Sequence, residues 1–158
     1  MRQRAPALLT FVAGLLWLVT PTGVATADDL SNYKTSAGLS VYLGVVPAAM
    51  VRSHPKGHPE EAMHDGVPGG PHSFHVMAAV FDAKTGYRVE DAVVEARVSP
   101  VGLAGVARRL NPMVIADTVT YGNYFMLRRG DVYRIAVTIT RPAAASPVTM
   151  EFSYEHER

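Results

Sequence analysis

Residues 132–140 read Val-Tyr-Arg-Ile-Ala-Val-Thr-Ile-Thr and are closed two positions later by Pro142. Tyr133, Ile135, Val137 and Ile139 alternate with smaller or polar side chains. A period of two marks a strand with one buried face, because successive side chains of an extended chain point to opposite sides. The pattern recurs along the chain. Residues 148–154 set Val148, Met150, Phe152 and Tyr154 in one row, and residues 93–99 set Val94, Ala96 and Val98 against Glu95 and Arg97. Residues 72–81 alternate and run into the turn Asp82-Ala83-Lys84-Thr85-Gly86. Residues 39–46 form a β-rich apolar run ended by Pro47, and residues 121–127 precede the turn Arg128-Arg129-Gly130-Asp131. About seven strands with turn signals roughly every ten residues, and no convincing amphipathic helix, predict an all-β, immunoglobulin-like antiparallel β-sandwich.

The N-terminal end has a different character. Residues 1–27 read as a secretory signal peptide, with Arg2 and Arg4 as the basic start and an apolar core over 7–19. Pro21 and Gly23 break the core, and Ala25-Thr26-Ala27 offers small residues for cleavage. The apolar run is shorter than the roughly 20 residues that a spanning helix requires. Export to the periplasm or beyond is therefore expected, leaving residues 28–158 as one sandwich domain. Without Arg2 and Arg4 the formal charge moves from +1 to −1, and the remaining basic residues are scattered. That balance argues against nucleic acid as a partner. The chain has no cysteine, so in an oxidising compartment it must rely on packing and not on disulfides.

Residues 52–71 are rich in proline, glycine and histidine and read as a long loop. Five of the six histidines lie from His54 to His75, with Met63 among them and Met77 just beyond. Imidazole and thioether together suit copper, and imidazole alone also suits zinc or iron. On the strand over 72–81, His75 and Met77 are two residues apart and project to one face, with His72 and Phe74 in the opposite row. Met113, ahead of a candidate strand, is the third ligand expected. His72 and His64 are accessory candidates, while His54, His58 and His64 sit on a loop whose spacing fixes no geometry. Signals for catalysis are absent from the motifs: there is no G-x-S-x-G elbow, no H-E-x-x-H pair and no phosphate-binding glycine loop. A binding protein is expected, not an enzyme.

Three blocks add a family resemblance. Residues 38–43 (Gly-Leu-Ser-Val-Tyr-Leu) with Met50, residues 75–83 (His-Val-Met-Ala-Ala-Val-Phe-Asp-Ala) and residues 112–123 (Pro-Met-Val-Ile-Ala-Asp-Thr-Val-Thr-Tyr-Gly-Asn) resemble the periplasmic iron-transport protein family, found beside bacterial iron permeases. The resemblance implies an immunoglobulin-like sandwich, often dimeric, that binds copper and supports iron uptake with an inner-membrane metal permease as partner. Carried over by position, His75 and Met113 match family ligands. Met77 stands where the family has glutamate, Thr120 where it has a further histidine, and its late histidine has no counterpart. Exchanging a carboxylate and imidazoles for a thioether softens the site, favouring Cu(I) over iron. The competing expectation is a secreted β-sandwich interaction module without a metal site, binding through unpaired strand edges.

Overall fold

The computed structural model describes residues 32–51, 66–115, 117–142 and 144–156. They form β1 (Tyr33–Ser36), β2 (Leu39–Pro47), the single turn α1 (Ala48–Val51), β3 (Ser73–Asp82), β4 (Val93–Pro100), β5 (Val106–Ile115), β6 (Thr118–Met126), β7 (Val132–Thr140) and β8 (Val148–Glu155). All pairings are antiparallel, in the order β1-β2-β3-β6-β5-β4-β7-β8. The expected all-β sandwich is present, with its layers joined into one nearly closed sheet. The expected signal segment at 1–27 and the stretch 52–65, with His54, His58, Met63 and His64, lie outside the described residues.

The joint is β5. Its first half pairs with β4 (Val106 to Leu110) and its second half pairs with β6 (Asn111 to Ile115). Pro112 falls just past the change of partner, where β4 has left and one neighbour remains. A residue without an N–H is tolerated there because the strand is locally an edge. The shift also exposes a gap: β6 continues beyond Gly122 against β3 alone. At this fork the Asn123 side chain donates from Nδ2 to the Arg109 carbonyl at 2.7 Å.

The alternating rows find their places in the core. Val41, Val76, Val80, Val94, Val98, Ile135, Val137, Ile139 and Phe152 pack between the layers. Burying each such side chain fully contributes about 1.5–3 kcal/mol. Two tyrosines tie loops to this core. Tyr121 donates its hydroxyl to the Val89 carbonyl at 3.0 Å and accepts the Ala92 N–H at 3.1 Å. Tyr133 accepts the Arg128 N–H at 2.6 Å and donates to Asp131. Burial pushes both phenols above their ordinary range. The turn expected after β3 is capped by Asp82, whose carboxylate accepts N–H groups of Lys84 and Thr85 and the Thr85 hydroxyl.

The structure corrects three details. β1 is a strand absent from the sequence reading. Met113 lies inside β5 and not ahead of a strand. β6 begins at Thr118, three residues before the expected start. Ala37 and Gly38, both at positive φ (47° and 78°), make the two-residue hairpin that brings β1 back on β2. Such turns match the twist of paired strands.

Candidate metal centre

The pleat of β3 divides it cleanly. Phe74, Val76, Ala78 and Val80 enter the core, so His75, Met77 and Ala79 face outward on the sheet β2-β3-β6-β5. Register then sets the neighbours: His75 pairs with Val46 and Tyr124, Met77 with Gly44 and Gly122, and Met113 with Thr120. The expected trio thus shares one face, supplied by β3 and β5 on either side of β6.

Gly122 is the pivot of this face. A Cβ at that position would lie 2.6 Å from His75 Nε2 and 2.7 Å from Met113 Cε. Both side chains therefore lean from opposite corners into the space that a missing side chain leaves. Its φ is not positive, so glycine serves here for room and not for backbone freedom. His75 is completely buried and Met113 is 2% exposed, although both point away from the main core. Tyr124 covers the imidazole, its ring stacked at 4.7 Å between centroids.

Met77 takes a different course. Its Cε lies 3.3 Å from the Cβ position of Gly44, so the side chain leans towards β2. It is half-buried and lines a shallow groove of about 410 Å³ with Tyr42, Ala79, Thr118 and Thr120. Arg88 closes one side of that groove, 4.4 Å from the centroid of the Phe81 ring and 3.5 Å from Thr120 Oγ1. A guanidinium has no lone pair to give a metal, so the Thr120 side of the groove offers a hydroxyl and a cation.

His72 does not join the group. It precedes β3 in the core-facing row, and its carbonyl accepts the Leu127 N–H at 2.8 Å in a separate cleft. His156 also lies elsewhere, edge-on to Phe74 at 4.5 Å. His64 is outside the described residues. Among the described residues no three of His, Asp or Glu gather as a metal site. This face carries the Asn111 amide and the hydroxyls of Thr118 and Thr120, and with them a nitrogen and sulfur donor set of one imidazole and two thioethers. That set fits a soft monovalent ion such as Cu(I) and suits hard cations poorly. Gly122, Gly44 and Tyr124 are the features that the sequence reading missed. Only the strand register reveals them, since Gly122 is 47 positions from His75 along the chain.

No family model matches this chain, and no curated protein matches it in sequence. Solved structures share its fold. A DUF4426-family protein from Pseudomonas aeruginosa PAO1 superposes with a TM-score of 0.62 at 12% identity, over 79% of this chain and 93% of that one. A copper-bound variant of FetP from uropathogenic Escherichia coli strain F11 gives 0.61 at 11% identity, over 80% and 94%. A copper-bound variant of Campylobacter jejuni P19 gives 0.55 at 13% identity, over 79% and 94%. At these identities the likeness establishes the fold.

Proposed function

We propose that this chain is an exported copper-binding protein that holds Cu(I) through His75 and Met113, with Met77 at the mouth of the site. One observation carries this reading: a histidine nitrogen and a methionine methyl converge over a glycine on the outer face of the sheet. An ordinary exposed sheet face would be polar and solvated. Here a histidine is fully buried there, under an aromatic ring. The copper-bound FetP and P19 structures have the same fold, which supports copper as the cargo.

The role is binding and delivery, in copper handling or in copper-dependent iron uptake, without catalytic turnover. Its partners in this reading are the metal ion and an inner-membrane metal permease, with dimerisation as in the resembled family. Its place is the periplasm. Among the described residues no helix is long and apolar enough to cross a membrane.

The test is a Cu(I) titration against a competing chelator, with the wild type and the double variant His75→Ala, Met113→Leu. The variant should bind at least about tenfold more weakly, the scale on which groups that order or hold a metal act. Far-UV circular dichroism of the metal-free variant should match the wild type. Equal affinity in a folded variant removes this site, and the metal-free interaction module then becomes the better reading.

A further inference from the structure

The fork between β5 and β6 opens a second site on the other side of the sheet. Where β5 turns from β6 to β4, the two strands part and leave a cleft of about 590 Å³. Leu103, Val106, Phe125 and Met126 give it apolar walls, and Val98 and Tyr133 belong to its lining. Arg108 and Arg128 stand at the cleft, with His72 beside them. Arg108 lies 5.9 Å from the centroid of the Phe125 ring. Neither guanidinium forms an ion pair among the described residues. Asp131 is the one carboxylate in the lining, and it already accepts the Tyr133 hydroxyl.

The His72 ring belongs to the same lining, and its Nδ1 is buried and makes no hydrogen bond among the described residues. The cleft thus holds two permanent cations over apolar walls, against one engaged carboxylate. A volume of this size is within the range of small-molecule sites.

The geometry points to a binding site for a small amphiphilic carboxylate, with its anionic end on Arg108 and Arg128 and its apolar body against Leu103, Val106 and Phe125. Charge complementarity selects the anion, and planar guanidinium groups match a carboxylate through paired N–H donors. The apolar walls select the body, because a simple inorganic anion would leave them in water. This site is independent of His75 and Met113 and stands whether or not copper binds.

Naphthoate is the probe, titrated into the full exported chain and followed by amide chemical shifts. Saturation in the millimolar range or tighter is expected, with shifts centred on His72, Leu103, Arg108 and Tyr133. The variant Arg108→Gln, Arg128→Gln should bind at least about tenfold more weakly, as expected when charge-assisted hydrogen bonds are lost. The uncharged naphthalene methanol should lose a similar factor, and Leu103→Ser should weaken naphthoate while leaving the fold intact. Equal binding of the uncharged analogue, unchanged affinity in the arginine variant, shifts centred elsewhere or no saturation overturns the proposal. Sulfate displacing naphthoate at equal concentration, with Leu103→Ser neutral, also overturns it by reducing the cleft to a simple anion trap.

Discussion

The two faces of β3 are both buried near its start, yet for different reasons. On the inner face, Phe74, Val76, Ala78 and Val80 belong to the core between the layers. On the outer face His75 is just as inaccessible, but its surroundings are Tyr124, Met113 and the space over Gly122. Apolar burial on the inner face holds the sheet together. On the outer face the buried surfaces of Met113 and Tyr124 also stabilise, while desolvating the His75 imidazole opposes folding unless its contacts offset that cost. In the proposed reading the difference separates an inner surface that only stabilises from an outer one that would also receive the metal.

That separation can be broken by experiment. The largest effect should come from Phe74→Ala, which removes an inner-face ring in contact with Tyr154 and His156. Its expected cost is about 3–5 kcal/mol in urea unfolding, with native copper affinity in whatever fraction stays folded. Gly122→Ala comes next. Its Cβ would collide with His75 and Met113, costing about 1–3 kcal/mol as an overpacked contact and weakening Cu(I) binding sharply. A variant of wild-type stability and affinity would mean that the outer face is loosely packed and that the pivot is not required.

Met77→Leu sharpens the contrast between the buried pair and the mouth. It should change stability by less than about 1.5 kcal/mol and lower Cu(I) affinity less than Met113→Leu does. The reverse order in a chelator competition would place the thioether ligand on β3 and not on β5.

The smallest effect is a pH dependence away from both faces. Hydrogen bonds from Thr85, first its N–H and then its hydroxyl, hold the Asp82 carboxyl below its usual range, with help from Lys84 and Arg141. A carboxyl depressed in the folded state stabilises above its unfolded pKa and loses that contribution as pH falls through the folded value. Asp82→Asn should therefore flatten the acid limb of thermal stability below about pH 4 and leave copper binding unchanged. An unchanged acid limb would show that the turn does not couple to folding.

Strands whose buried face stays constant were legible in the sequence. β7, β4 and β8 show unbroken alternation, and β2 and β3 end where Pro47 and the Asp82 turn predict. β5 was hidden because its two buried side chains, Leu110 and Met113, are three residues apart and face opposite sides. No period of two joins them, and Pro112 argues against a strand. β1 was hidden because Tyr33-Lys34-Thr35-Ser36 is mostly exposed and held by its ladder to β2. At the candidate metal centre, the same-face placement of His75 and Met77 followed from the pleat. The pivot did not, because Gly122 meets His75 only through a pairing between distant strands.

The near closure of the sheet reaches beyond this domain's own packing. β1 and β8, the two ends of the strand order, lie against one another. A free strand margin presents a row of unmet N–H and C=O groups that another chain can extend, and β1 and β8 face one another without a ladder between them. A chain adding a strand there would have to enter between two margins that already lie in contact. A partner on the outer faces would instead read side chains on a curved surface, so its selectivity would rest on their chemistry rather than on a repeating main-chain ladder.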